Sequence, residues 1–397
     1  MADDPIKHLD ELAKHEAVCL RLKEIGNKNA VNNLQNVHTP FSLVRDMLTK
    51  LNESSKLDGT ILTSNLEFIE VMLYDYKVDP TKITYYTDCL AKSEFIKRTP
   101  RYNGVTTIVA PFDKLNINMK FDVIVGNPPY QKQVGERKTE PLWDKFVDKA
   151  FDLVEEDGHV CMVHPSGWRN VDGRFKKTKD LLNSKQVEYL EMHDKADGKK
   201  TFGAGTMYDW YVVKNTDNDK EETTVKFQDG TEQKLNLNEL GFVPNGNVDA
   251  IRKLIAKDGE ERVNVLHSFS DYETRKPHMS SVQHGIYQYP CVYTIRVGDG
   301  LIFHYSSTKD KGHFNVPKFI WGNGGYGMGS IVDKNGDYGL TQFAYAIIDD
   351  VENLDDIKKA FDSKEFRELM KSCDGGDSNI NRKVIALFRK DFWKDFI

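Results

Sequence analysis

The chain has 397 residues, enough for two domains with a core in each. Lys and Arg number 55 against 61 Asp and Glu, a formal net charge of −6, and mean hydropathy is −0.57; no apolar run approaches a bilayer crossing, which excludes a polytopic membrane protein. Five cysteines (Cys19, Cys89, Cys161, Cys291, Cys373) are scattered without a CxxC pair or His at zinc-ligand spacing, which excludes a disulfide scaffold and a zinc finger and leaves reduced, structural thiols.

The first segment, 5–28, reads as a charged helix without the apolar stretch of a secretory signal, so a soluble intracellular protein is expected. A loop of Asn and Gln ends at Val37. Thr39 and Pro40 then open a second helix, with Thr39 as N-cap, Pro40 in the first turn, and Leu43, Val44, Met47 and Leu48 along one face. A short strand at 61–62 leads into Thr63-Ser64-Asn65-Leu66-Glu67-Phe68, and a second strand, 83–86, ends near Asp88. At that position an acidic side chain serves either to accept from ribose hydroxyls or to cap a helix. A third strand, 106–109, leads to Ala110-Pro111-Phe112-Asp113, and a fourth occupies 121–125.

Residues 141–156 form an amphipathic helix, with Leu142, Phe146, Ala150 and Leu153 on one side. A fifth strand, 159–163, ends at His164-Pro165-Ser166-Gly167-Trp168-Arg169. Arg174, Lys176, Lys177 and Lys179 are the densest basic cluster of this half, either a phosphate-contacting patch or a solvated face. Two last strands are expected at 189–192 and 209–213, the second antiparallel, with a loop over 199–206 between them. The alternation of strands and helices gives a doubly wound α/β domain ending near the polar stretch 216–224. Beyond it the chain is richer in aromatics and glycine. Residues 317–329 read as a flexible aromatic loop, 355–371 as a helix and 379–396 as a basic-aromatic tail, while His278, His284, Tyr287, Tyr289 and Tyr293 fit no metal-ligand set.

The strand at 121–125 runs straight into Asn127-Pro128-Pro129-Tyr130. Asn-Pro and Pro-Pro are ordinary turn punctuation, but ligand sites of open α/β sheets lie at the carboxyl ends of their strands, which makes this junction the leading candidate site. Its four residues suit methylation of a planar amino group such as N6 of adenine. That nitrogen is a poor nucleophile because its lone pair is delocalised into the ring. Two acceptors aimed at its protons would localise the pair as charge develops. The Asn127 side-chain oxygen is one, and the Pro128 carbonyl, held by two successive rings of fixed φ, is the other. Tyr130 stacks on the base. Asn is preferable to Asp because a neutral oxygen does not take the proton outright.

On these residues the chain resembles the N6-adenine DNA methyltransferases, and more closely the gamma-order, TaqI-like methylases of restriction-modification systems, from about residue 37 to the end. The resemblance implies an α/β class I, Rossmann-like methyltransferase domain dependent on S-adenosylmethionine at 37–222. A helical extension at 1–36 precedes it, and a mixed α+β target recognition domain at 223–397 follows. It implies double-stranded DNA as partner, a cognate restriction endonuclease as companion, a monomer without metal or membrane, and a cytoplasmic location in a bacterium or as a phage product. Asn127, Pro128, Pro129 and Tyr130 would be catalytic, with Tyr130 and Phe202 stacking on the two faces of an extruded adenine. Thr39 and Pro40 would lie beside the methionine end of the cofactor, with Asn127 also in contact. Thr63, Ser64, Asn65 and Glu67 would replace the usual cofactor loop, Asp88 would bind ribose, and Phe112 and Asp113 would approach the cofactor adenine.

Two departures matter. The family's Asp-Pro-x-x-Gly-x-Gly loop, whose glycines let backbone approach the cofactor, has no counterpart at 63–68, and Pro111 stands where an acidic residue is usual. They open a second reading, a catalytically inactive methyltransferase-like DNA-binding or specificity protein. A third is a methyltransferase acting on protein glutamine or RNA adenine, which shares the four-residue motif.

Overall fold

The computed structural model describes residues 38–397 except 56, 117, 135–137, 219–221, 297–299, 327–328 and 377–378. The helix expected at 5–28 lies outside the described residues. The chain divides into two compact units: residues up to Trp168 with Gly173–Glu239, and Arg169–Asp172 with Leu240–Ile397. Among the described residues no helix is long and apolar enough to cross a membrane.

In the first unit the chain runs α1 (Phe41–Ser55), β1 (Ile61–Thr63), α2 (Leu66–Tyr74), β2 (Ile83–Thr87), α3 (Leu90–Arg98), β3 (Thr106–Val109) and β4 (Phe121–Gly126). A small hairpin, β5 (Gln131–Gln133) and β6 (Thr139–Pro141), follows, then α4 (Trp143–Leu153), β7 (Val154–Pro165), α5 (Lys176–Asn183), β8 (Lys185–His193), α6 (Lys195–Phe202), β9 (Tyr208–Asp217), β10 (Thr223–Lys226) and β11 (Glu232–Leu235). Nine of these strands make one sheet, in the order β11-β10-β8-β9-β7-β4-β1-β2-β3. From β3 to β7 all neighbours are parallel, and β9 runs antiparallel between β7 and β8. The strands are apolar runs because both faces are covered: β1 is buried throughout, as are Val123, Ile124 and Val125 of β4. Helix α1 lays Val44, Met47, Leu48 and Leu51, all fully buried, on this core, each contributing roughly 1.5–3 kcal/mol.

β4 is tied to the entry of β1 by Asp122, whose carboxylate accepts from the Thr60 N–H at 2.7 Å and the Thr60 hydroxyl at 2.8 Å. These bonds hold the Asp122 carboxyl below the usual range. A carboxylate whose folded pKa is depressed stabilises the fold above its unfolded pKa of about 3.9, and that contribution is lost as pH falls through the folded value. A difference in Tm between wild type and Asp122→Ala is therefore expected at neutral pH and should close progressively below about pH 4, as thermal melts across the acid range would show.

Two expectations change here. The polar stretch 216–224 links strands of the same sheet: β10 pairs parallel with β8 and β11 antiparallel with β10, so the first unit runs to Glu239 and not 222. The addition covers the open edge of β8, whose backbone groups would otherwise be bare. Residues 199–202 of the expected loop instead belong to helix α6, capped by Asp194, which accepts from the Asp197 N–H, and ended by Gly203 in the left-handed region at φ 72°.

The second unit holds α7 (Val248–Leu254), β12 (Asn264–Leu266), β13 (Met279–Ser280), β14 (Tyr289–Arg296), β15 (Gly300–Ser306), β16 (Lys318–Gly322), β17 (Ser330–Asp333), β18 (Gly339–Leu340), β19 (Ala344–Ile348), α8 (Leu354–Asp362), α9 (Lys364–Lys371) and α10 (Arg382–Ile385). Its strands form two four-stranded sheets, β12-β19-β16-β17 and β13-β15-β14-β18. Between them lie Val292, Ile295, Ile320, Leu340, Ala344 and Ala346. The aromatics Phe319 and Trp321, expected on a flexible loop, are buried in β16. The helix expected at 355–371 is two helices, broken at Ser363, whose side chain caps α9 by accepting from the Phe366 N–H. Cys89, Cys161, Cys291 and Cys373 are free and buried, and burial pushes the Cys291 thiol up to about 12.

Candidate active site

The strand order reverses between β1 and β4, the place where open α/β sheets form their ligand crevice. There the Asn65 side chain, although its residue stands at the N-cap of α2, makes no capping bond. It grips the Asn127 backbone from both ends: the Asn127 N–H donates to Asn65 Oδ1 at 2.8 Å, and Asn65 Nδ2 donates to the Asn127 carbonyl at 3.2 Å. The Asn65 N–H in turn donates to Thr63 Oγ1 at 3.2 Å. Gly126 makes this approach possible, since a Cβ there would sit 2.7 Å from Asn65 Oδ1.

The Asn127 side chain is fixed independently. It is 4% exposed, and its Nδ2 donates to Thr39 Oγ1 at 3.1 Å. Thr39 is itself fully buried, with its N–H donating to Glu67 Oε1 at 3.2 Å, and His38 Nδ1 lies 2.6 Å from the same oxygen. Thus Thr39, expected as a helix cap, and Glu67, expected to face a ligand, belong to a chain of polar contacts that orients the Asn127 amide. Sequence reading missed this role for Asn65 and Gly126; the Gly-Asn pair at a strand's carboxyl end was the available signal.

Pro128 and Pro129 are buried, and Tyr130 is half-buried. The Leu142 N–H donates to the Tyr130 carbonyl at 3.0 Å, closing the β5–β6 hairpin behind the motif. The Tyr130 hydroxyl is buried and has no hydrogen-bond partner among the described residues, an arrangement costing about 1–3 kcal/mol, and burial pushes its phenol upward. Its ring meets Phe202, at the end of α6, edge to face, with centroids 6.0 Å apart and planes at 78°. The pair is brought together but not parallel, so a base between them needs the rings to part and turn. Phe202 also packs on Tyr208 at 4.8 Å.

At the carboxyl ends of β2 and β3 the side chain of Asp88 is exposed and makes no hydrogen bond or ion pair among the described residues. It caps no helix either, because α3 begins after Cys89. Beside it Leu90 is 63% exposed and Val109 42%. Phe112 stacks on Phe146 at 3.7 Å and lies 5.6 Å from Tyr86, so part of its surface is committed to core packing. Asp113 follows in the same short helical turn, and its side chain lies outside what is described. The turn from β1 to α2 is only Ser64 and Asn65. Pro40 precedes α1, and its carbonyl accepts from the Val44 N–H at 3.1 Å.

Other sequence candidates serve packing. His164 is fully buried, stacked on Trp143 at 4.1 Å, with Nε2 2.9 Å from the Tyr211 hydroxyl, and burial pushes its imidazole down to about 4. Trp168 is buried and donates to Asp209 at 3.0 Å. Lys176 pairs with Asp180 at 2.9 Å and Lys177 with Asp148 at 2.5 Å, which favours the solvated-face reading of that cluster. Among the described residues no three His, Cys, Asp or Glu side chains gather as a metal site.

Counting the sheet strands before β10 in chain order gives the arrangement 3-2-1-4-5-7-6 with the seventh antiparallel, which defines a class I methyltransferase domain, the fold whose cofactor is S-adenosylmethionine. Residues 16–202 match the model of the Eco57I restriction-modification methylase family. An uncharacterised adenine-specific methylase of Mycoplasma pneumoniae is 37% identical over 75 residues, 16% of this chain and 17% of the relative's length. Among solved structures, the type IIG restriction endonuclease BpuSI aligns at TM-score 0.44 and 9% identity, over 91% of this chain and 61% of that one. A type I restriction-modification methyltransferase subunit from Streptococcus thermophilus aligns at TM-score 0.36 and 15% identity, over 50% and 49% of the two chains.

Proposed function

We propose that the protein is a site-specific DNA methyltransferase that methylates N6 of an adenine extruded from duplex DNA. The observation that carries this reading is the double fixing of Asn127, by Asn65 on its backbone and Thr39 on its amide, at the switch point of the sheet. With Nδ2 donating to Thr39, the Asn127 oxygen is the end of the amide turned to a substrate amino group. Asn127 Oδ1 and the Pro128 carbonyl accept the two amino hydrogens, and their pull grows as positive charge develops on the nitrogen. Tyr130 and Phe202 hold the base once their edge-to-face contact opens, since a flipped base is read by stacking as well as by hydrogen bonds. The surplus proton leaves to solvent, so no general base is assigned.

S-adenosylmethionine, when bound, supplies an electrophilic methyl group. The residues present fit it in part. Asp88 has an exposed, unengaged carboxylate suited to a ribose diol, and Leu90 and Val109 offer apolar surface beside it. Ser64 supplies a part-exposed hydroxyl where glycines are usual, whereas Thr63 is buried with its hydroxyl on the Asn65 N–H, and Phe112 would meet the cofactor ring with whatever surface Phe146 leaves to it. That Phe112–Phe146 stack and the two-residue turn after β1 also favour the second reading, an inactive methylase-like DNA-binding protein.

Titration with S-adenosylmethionine, followed by transfer of a labelled methyl group to duplex DNA, RNA and protein, tests the choice. Saturable binding with label on duplex DNA is expected. Binding of DNA without the cofactor favours the inactive protein, and label on RNA or protein the other methyltransferases. Gly126→Ala is expected to lower transfer by about 10²-fold by displacing Asn65 from the Asn127 peptide, measured as kcat with DNA affinity unchanged.

A further inference from the structure

Helix α6 carries Phe202 at its end, yet burial holds the helix only weakly. Of its eight residues Gly198 alone is buried, and Phe202 is half-buried. A helix this short is marginal by itself, so its place has to come from ties to its surroundings. One tie is local: a Cβ on Gly198 would lie 2.0 Å from the Thr206 carbonyl oxygen, so α6 packs backbone to backbone on the turn that follows it. That turn adds no hold at Gly203 or Gly205, where a Cβ would meet nothing within 4 Å among the described residues.

The tie to the sheet runs through the Asp197 carboxylate. Its Oδ2 accepts from the Tyr208 hydroxyl at 2.5 Å and from Thr201 Oγ1 at 3.3 Å, and it lies 2.9 Å from His193 Nδ1. His193 ends β8 and Tyr208 begins β9, and the two are paired across the sheet with their rings stacked at 4.3 Å and 2°. One carboxylate thus joins both ends of the connection that α6 belongs to. His193 is also 3.4 Å, through Nε2, from Glu191, which accepts from Lys226 at 3.1 Å and from the Tyr189 hydroxyl at 2.7 Å. From this ring pair the contacts lead to the candidate site: Tyr208 meets Phe202 edge to face at 4.8 Å, and Phe202 meets Tyr130 at 6.0 Å. The last contact leaves the Tyr130 hydroxyl buried without a hydrogen-bond partner among the described residues, so it draws little strength from Tyr130.

We infer that Asp197 is a positioning residue: by gripping Tyr208 and His193 it fixes α6 on the ends of β8 and β9 and so holds Phe202 opposite Tyr130. It acts on the base only through that ring. This rests on the reading of Tyr130 and Phe202 as the two walls of a base pocket in a DNA methyltransferase, and it supplies the group that sets the second wall.

The full chain with para-fluorophenylalanine at position 202 reports the ring directly by fluorine NMR, without DNA. A resonance displaced from its position in urea is expected, because the Tyr130 and Tyr208 rings lie against it. Asp197→Ala should move the resonance most of the way back. Tyr208→Phe is the milder probe, since it keeps the ring contacts and loses only the hydroxyl, and should move it part of the way. In parallel, methyl transfer is measured on long unmethylated genomic DNA, in which any short recognition motif occurs. For Asp197→Ala kcat is expected to fall about tenfold or more, while affinity for S-adenosylmethionine changes by less than about threefold. Tyr208→Phe should fall between, and the double variant should be no worse than Asp197→Ala, because both changes cut one link. A merely structural role would lower Tm and leave the resonance and kcat at wild-type values below the melt. An unmoved resonance in both variants, or a moved one with wild-type kcat, overturns the positioning role alone. No transfer by the wild type overturns the methyltransferase reading and the positioning role with it, whether or not the resonance moves.

Discussion

Asn127→Ala is expected to lower methyl transfer by about 10²–10³-fold while S-adenosylmethionine affinity falls by less than about tenfold. The size follows from removing one preorganised polar group that acts as charge develops in the transition state. The alanine leaves the Asn65 contacts to the 127 peptide in place, because these use the backbone, so the loop keeps its course. Loss of kcat with near-normal cofactor binding would therefore report the side-chain oxygen and not a collapsed site. Asn127→Asp sharpens the point. A carboxylate can still accept a hydrogen bond from Thr39 and from a substrate amino group, but it also competes for the proton and cannot donate to Thr39 Oγ1 as Nδ2 does at 3.1 Å. It should retain more activity than alanine and less than wild type. Equal activity of all three proteins in single-turnover assays would remove Asn127 from the chemistry.

Lys318→Met is expected to destabilise the second unit by about 3–5 kcal/mol, the usual cost of breaking one side of a buried ion pair. Lys318 is fully buried, and its ammonium donates to Asp333 at 2.8 Å and to the carbonyls of His313 and Val316 at 2.9 and 3.0 Å. Asp333 also accepts from the N–H groups of Asp337 and Tyr338, so the pair ties three pieces of chain together. Methionine fills much the same volume but leaves Asp333 charged in an apolar place. The double change Lys318→Met with Asp333→Asn should recover part of the loss, because the uncompensated charge is gone while the amide oxygen still accepts from the chain at Asp337 and Tyr338. Chemical denaturation of the three variants measures this, and a single variant as stable as wild type would show that the pair contributes little.

Much of the first unit was legible because parallel strands buried on both faces read as apolar runs with clear ends. The strands near Ile61, Ile83, Thr106 and Phe121 emerged this way, and β9 emerged as the antiparallel partner. Helix α6 was hidden by Gly198 within it and by Gly203 and Gly205 just after it. Gly198 looks like a loop residue, yet it sits mid-helix because a Cβ there would lie 2.0 Å from the Thr206 carbonyl oxygen. The edge strands β10 and β11 were hidden by polarity: only Thr223, Val225 and Leu235 of them are buried, too few to make a pattern. In the site, the motif at 127–130 was readable from its own residue types. What holds it was not, since Asn65 and Thr39 reach Asn127 across 62 and 88 residues, and no local pattern encodes such a meeting. The β16 aromatics misled because glycines follow them at once, which made a buried strand look like a loop.

The most direct measurement is sequencing of modified adenine in the DNA of a methylation-deficient host expressing the wild-type chain or Asn127→Ala. N6-methyladenine at one short sequence motif with the wild type, absent with the variant, is expected. A folded, abundant wild-type protein that leaves the host DNA unmodified, or modification that persists unchanged in the variant, would contradict methylation by Asn127 and its neighbours.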